Sequence, residues 1–145
     1  MMFDCAEDVK RFITGGNARL TVRSKKTGKH YTYKISQGWD HDTNKRDYST
    51  PYFVSVLCGP DNESDYMYIG FIPQAIEFKL VAGNKGKPGA DSYKALSWVL
   101  KHLNKGEIHD QLEISHEGSC CRCGRTLTHP DSIASGIGPE CSKHF

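Results

Sequence analysis

Two short segments near the C-terminus decide how that part of the chain folds. They are Cys120-Cys121-Arg122-Cys123-Gly124-Arg125 and Gly136-Ile137-Gly138-Pro139-Glu140-Cys141-Ser142-Lys143-His144. Two residues separate Cys120 from Cys123, 17 residues follow, and Cys141 and His144 repeat the two-residue spacing. Structural zinc sites take four sulfur or nitrogen ligands in a tetrahedron, and ligand pairs at this spacing are typical of them. The sequence therefore predicts one structural zinc ion per chain.

The predicted ligand set has three fixed members and one open position. Gly138-Pro139 is typical of a helix start, so the Cys141 thiolate lies near the positive end of a helix dipole. The fixed ligands are Cys120, Cys123 and Cys141. The fourth ligand is either His144, which completes the symmetrical pairing, or His116, which lies four residues before Cys120. His129 and Cys121 are the less favoured choices for that position.

A longer pattern spans both cysteine segments, and it reads Cys120-x2-Cys123-Gly124-Arg125-x-Leu127-Thr128-x-Pro130-x-Ser132-Ile133-x2-Gly136-Ile137-Gly138-Pro139-x-Cys141. It resembles a short zinc-ribbon-type domain found in many bacteriophage and actinobacterial proteins of unknown function. Gly15-Gly16-Asn17-Ala18 and Gly59-Pro60-Asp61-Asn62 are also similar to segments of small phage proteins with this tail. The resemblance implies a viral accessory protein with Cys120, Cys123 and Cys141 as zinc ligands, and it implies no particular activity.

The composition of the chain indicates a folded protein. Of its 145 residues, 37% are hydrophobic and 25% are charged, and the formal net charge is only +2. No apolar run approaches the roughly 20 residues of a membrane span, and the N-terminus lacks the basic and apolar regions of a secretory signal. We therefore expect a cytoplasmic protein without membrane contact, in the host cytoplasm if it is viral. Clustered cysteines in the cytosol more often hold a metal than form disulfides.

Residue patterns before the tail predict an α+β domain. An amphipathic helix is expected over residues 4–13, and a hairpin follows with strands around Leu20–Val22 and Tyr31–Ile35. Residues 37–51 are polar and predict a long loop. Further strands are expected at 52–58, 66–72, 76–81 and 112–114, and a helix capped by Asp91 or Ser92 at 92–104. The prediction is a mostly antiparallel sheet of about five strands with one or two packed helices in residues 1–115, and a zinc-knuckle or treble-clef-like tail in residues 116–145.

Basic residues suggest one possible binding function. Lys25, Lys26 and Lys29 lie at the predicted hairpin tip, and Arg122 and Arg125 flank the knuckle. Such residues contact phosphates, and exposed tyrosines nearby can stack on bases. Core packing accounts for most of the seven tyrosines, and a binding face could use one or two of them. The near-neutral net charge argues against nucleic-acid binding driven by charge alone.

No residue pattern predicts an active site. Only a treble-clef nuclease, with His129 and Asp131 between the ligand pairs, suggests catalysis, and that idea rests on fold analogy. We therefore expect a non-enzymatic protein. Its expected action is to bind and inhibit a host or bacterial defence protein. The alternative is nucleic-acid binding in phage replication or recombination.

Overall fold

The computed structural model describes residues 2–60, 64–83, 89–128 and 130–143. Within these residues the chain folds as an α+β protein around a mostly antiparallel sheet, which confirms the predicted fold class. The elements, in chain order, are α1 (Ala6–Ile13), β1 (Asn17–Ser24), β2 (His30–Ser36), β3 (Gly38–Asp40), β4 (Lys45–Asp47), β5 (Tyr52–Leu57), β6 (Tyr66–Ile72), β7 (Val81–Ala82), α2 (Asp91–Asn104), β8 (Leu112–His116), α3 (Pro130–Ser135) and α4 (Pro139–Ser142).

The main sheet has six strands in the order β7-β6-β5-β2-β1-β8, and every pair of neighbours is antiparallel. Alternate residues of each central strand are buried, as expected for a sheet with one covered face. The buried set includes Leu20, Tyr33, Ile35, Val54 and Ile114. The sheet therefore has a core face, and an opposite face whose side chains are half-buried or exposed.

Two helices contribute the other half of the core. Helix α1 presents Val9, Phe12 and Ile13, and α2 presents Leu96, Val99, Leu100 and Leu103, all of them buried. The predicted cap of α2 by Asp91 or Ser92 is wrong. The N-cap is Ala90, and no side chain makes a capping hydrogen bond there.

Two predictions for the middle of the chain are corrected. Residues 37–51 contain the hairpin β3–β4, which the polar sequence concealed because its strands have no apolar alternation. Its turn is held by the Asp40 carboxylate, which accepts hydrogen bonds from the Asp42 and Thr43 amides at 2.9 and 3.4 Å. The strand expected at 76–81 is reduced to β7, and Ile76 is fully exposed. Of the turn predicted at Gly59-Pro60-Asp61-Asn62, the last two residues lie outside the described part of the chain.

The tail packs against the sheet and α1. Cys120, Cys121, Leu127 and Ile137 belong to the same buried cluster as Phe12 of α1. Backbone hydrogen bonds connect the two regions: the Asn17 amide at the start of β1 donates to the Cys121 carbonyl at 2.7 Å. The cysteine segment is therefore held at the end of the sheet where β1 begins.

Within the described residues, no helix has the length and apolar character that crossing a membrane requires.

Candidate metal centre

The first two cysteines lie on a tight turn that follows β8. The Cys120 amide donates to the Arg125 carbonyl at 2.9 Å, and the Gly124 amide donates to the Cys120 carbonyl at 3.0 Å. Gly124 has a φ of 78°, a conformation that glycine adopts without steric cost. The turn also aims amide groups at sulfur: the Arg122 and Gly138 N–H groups donate to Cys120 Sγ at 3.4 and 3.2 Å. This is the knuckle geometry that the two-residue spacing predicts.

The third cysteine arrives from the other side of the tail. Gly136, at a φ of 76°, ends α3 and turns the chain, and Pro139 occupies the first turn of α4. Cys141 on α4 thereby faces the knuckle. The three sulfur atoms of Cys120, Cys123 and Cys141 all lie within 4.8 Å of one another. These three cysteines can hold a metal ion.

The sulfur spacing fits a tetrahedral centre. A metal–sulfur bond of about 2.3 Å places tetrahedral sulfur ligands about 3.8 Å apart. The observed spacing thus requires a contraction of about 1 Å at most. Cys120 is buried, Cys141 is half-buried and Cys123 is exposed, so one side of the centre faces solvent.

The electrostatic environment favours a thiolate at Cys120. A hydrogen bond from the Cys121 thiol, together with backbone N–H groups of Cys123, Gly138 and Arg122, lowers the pKa of Cys120 to about 3 despite its burial. Burial and hydrogen bonding with the Cys123 and Cys120 sulfurs raise the pKa of Cys141 to about 12. Cys120 is therefore prepared as a thiolate, whereas burial and the neighbouring sulfurs disfavour a second thiolate at Cys141. A cation bound by the three sulfurs would favour the thiolate of Cys141.

Cys121 connects the centre to the rest of the protein, a role that spacing alone did not predict. Its side chain is fully buried, and its hydrogen bond to Cys120, with burial, raises its pKa. Its amide donates to the Gly136 carbonyl at 2.9 Å, and its carbonyl accepts from Asn17 at 2.7 Å. A Cβ on Gly15 would lie 2.4 Å from Cys121 Sγ, so glycine is required for this close approach.

The fourth position is not filled by His116. Its Nδ1 accepts a hydrogen bond from the Gly118 amide at 2.9 Å, and its Nε2 lies 2.6 Å from the Ile133 carbonyl oxygen. Both ring nitrogens are thus occupied, and His116 is not among the described residues that converge on the centre. The other candidates, His144 and His129, lie outside the described residues. A cavity of about 260 Å³ opens onto the three cysteines and leaves space for a further ligand.

The predicted basic residues do not form one surface. Lys25, Lys26 and Lys29 follow β1, whereas Arg122 and Arg125 lie beside its first residue, Asn17. The seven steps from Asn17 to Ser24 separate the two groups by about 23 Å at a strand rise of about 3.3 Å per residue. The guanidinium of Arg122 lies 4.0 Å above the ring centroid of Tyr48, a residue in the predicted loop.

Comparison with known protein families gives one match, which is confined to the tail. Residues 111–145 match a model described as "Family of unknown function (DUF6011)". The match includes all three converging cysteines, and β8 is the only strand of the main sheet that it covers. Comparisons with curated proteins and with solved structures return no match.

Proposed function

We propose that the protein is a non-enzymatic binding protein whose tail is stabilised by one structural zinc ion. The observation that carries this proposal is the convergence of three cysteine sulfurs within 4.8 Å. Three thiolates on a knuckle and a helix start are the donor set that zinc prefers. Apart from its cysteines, the described tail after β8 buries only Leu127 and Ile137 as apolar side chains, so metal binding supplies stability that this small core does not.

His144 is our proposed fourth ligand. It follows Cys141 at the spacing that separates Cys120 from Cys123, and the cavity beside the three cysteines offers the space for an imidazole. A closed set of three thiolates and one imidazole supports a structural role, because catalytic zinc sites keep a position for water.

We propose nucleic acid as the partner, as in the alternative hypothesis from the sequence. Two arginine–aromatic pairs support it: the Arg122 guanidinium lies 4.0 Å from the Tyr48 ring centroid, and the Arg46 guanidinium lies 5.3 Å from that of Trp39. Both rings are exposed, Trp39 to 46% and Tyr48 to 41%. An arginine stacked on a ring keeps N–H groups available for phosphate, and the ring edge remains available to a base.

A host or defence-system protein is the other candidate partner. The net charge of +2 supports it, because proteins that bind nucleic acid through charge alone are usually more basic. The phage origin implied by the resemblance of the tail is part of this second hypothesis.

Binding at several salt concentrations tests the proposal. We expect the purified protein to bind oligonucleotides of random sequence. The logarithm of the binding constant should fall linearly with the logarithm of the salt concentration. Arg122→Ala should reduce the slope by about one, whereas Lys105→Ala, on the exposed end of α2, should leave it unchanged. Absence of binding at low salt, together with a host protein retained in a pull-down, would favour the inhibitor hypothesis. Hydrolysis of the oligonucleotides that is lost in Asp131→Asn would instead support the nuclease.

A further inference from the structure

The face of the sheet opposite the core carries side chains in ordered rows. Strand register places Arg19 opposite Lys34, Lys34 opposite Ser55, and Ser55 opposite Tyr68. A second row on the same face, two residues along β1, β2 and β5, runs through Asn17, Ser36, Phe53 and Phe71. The helices α1 and α2 pack on the core face, so these rows form the uncovered face among the described residues.

One half of this face is aromatic. Phe53 is 36% exposed and Tyr68 is 42% exposed, and their ring centroids are 6.4 Å apart. With Phe71 and residues of the sheet edge, they line a shallow depression of about 740 Å³. A Cβ on Gly83 would lie 2.4 Å from the Tyr68 ring, so the glycine allows the ring to approach the chain closely just after β7.

The other half of the face is basic. Arg19 and Lys34 occupy directly opposed positions on β1 and β2, so two cationic residues lie side by side on this face. Further along β1, Arg23 forms an ion pair with Glu113 at 3.2 Å. Glu117 and Arg19 line the same polar pocket, so an anion bound there lies beside a carboxylate.

The two halves lie close enough for one ligand to contact both. Lys34 and Tyr68 are two strands apart, or about 10 Å at the usual strand spacing. A ligand that combines flat apolar rings with a chain of negative charges matches this arrangement. Nucleotides have both features, and in a duplex the bases are stacked inside and cannot lie on a protein ring.

We infer that this sheet face binds single-stranded nucleic acid, with bases stacked on Phe53 and Tyr68 and phosphates directed toward Arg19 and Lys34. The inference rests on the proposed function, and it specifies the substrate class and the residues that select it. The chain from Tyr48 to Phe53 links this face to the pair of Arg122 and Tyr48. Gln37 and Gln74 hold that link, because both side-chain amides donate to the Tyr48 and Thr50 carbonyls at 2.7 to 3.1 Å.

Fluorescence anisotropy with a labelled oligothymidine and a labelled duplex of the same length tests the inference on the full, zinc-loaded chain. We expect the wild type to bind the single strand more tightly than the duplex. Phe53→Leu and Tyr68→Leu keep apolar surface but remove the stacking ring, so each should weaken single-strand binding by about fivefold or more. Ile76→Ala removes a fully exposed apolar side chain that belongs to neither row of the sheet face and should leave binding unchanged.

The possible outcomes distinguish the inference about the sheet face from the proposed nucleic-acid binding function. Unchanged single-strand binding in the Phe53→Leu/Tyr68→Leu double variant would overturn the inference and leave the proposed function standing. Equal affinity of the wild type for duplex and single strand would do the same. Failure of the wild type to bind either oligonucleotide would overturn both. Circular dichroism of each variant, measured in parallel, should show an unchanged fold, because both rings are exposed at the surface.

Discussion

Close packing around Cys121 explains why the tail has a fixed position on the sheet. The Cys121 thiol is fully buried against Gly15, and its two backbone groups bond to Gly136 and Asn17. A substituent at Gly15 would strike both the sulfur, at 2.4 Å, and the carbonyl oxygen, at 2.7 Å. The backbone carbonyl cannot rotate away without losing its bond to Asn17. Residue 15 therefore controls the attachment of the metal centre.

Gly15→Ala should destabilise the protein by about 1–3 kcal/mol, the usual cost of forcing extra atoms into a packed site. Gly89→Ala is the matched control, because a Cβ there meets nothing within 4 Å. Urea unfolding followed by circular dichroism measures the difference between the two variants. Equal midpoints for both variants would show that Cys121 is not packed against Gly15 as described.

At the scale of elements, apolar periodicity predicted which residues of the strands and helices are buried in the core. Leu20 and Val22 on β1 and Tyr33 and Ile35 on β2 are buried as their spacing indicates. On α2, the spacing places Tyr93, Leu96, Val99, Leu100 and Leu103 on one face, and all are buried except Tyr93, which is partly buried. The hairpin β3–β4 could not be predicted in this way. Its strands of three residues bury no side chain, and they are held by local polar contacts such as Arg46 to the Gln37 carbonyl at 2.8 Å. Periodicity detects burial, and these strands have none.

We propose that the tail is the element whose folding depends on metal. Its turns rest on a few backbone hydrogen bonds and on the converging cysteines, so zinc removal should open it locally. We expect trypsin to cleave after Arg122 and Arg125 much faster once a strong chelator is added. Cleavage after Lys25 and Lys26, at the far end of β1, should keep its rate and serves as the internal control. Equal rates at the tail sites with and without chelator would contradict a metal-dependent tail.

At the scale of the whole molecule, residue types were predictable but their mutual placement was not. The sequence identified the lysines of the hairpin and the arginines of the knuckle as candidate nucleic-acid contacts, but it did not predict that β1 separates the two groups. It assigned most tyrosines to the core, which holds for Tyr33, but Tyr68 lies on the uncovered face. Strand register and sheet order decide which side chains become neighbours, and both depend on long-range pairing that local patterns do not specify.

The same limit applies to the metal centre. Spacing predicted that Cys120, Cys123 and Cys141 converge, because a two-residue knuckle and a helix start are local features. The position of His116 depends instead on the packing of the tail, which directs its ring nitrogens to Gly118 and Ile133. A histidine that is near in sequence is therefore kept out of the ligand set by tertiary structure.

Metal analysis of the purified protein tests the central claim most directly. We predict about one zinc per chain in the wild type, loss of that zinc in Cys123→Ser, and full retention in Cys58→Ser, whose exposed thiol lies outside the cluster. His144→Ala should retain less zinc than His116→Gln if His144 is the fourth ligand. A full complement of zinc in Cys123→Ser, or none in the wild type, would contradict the account.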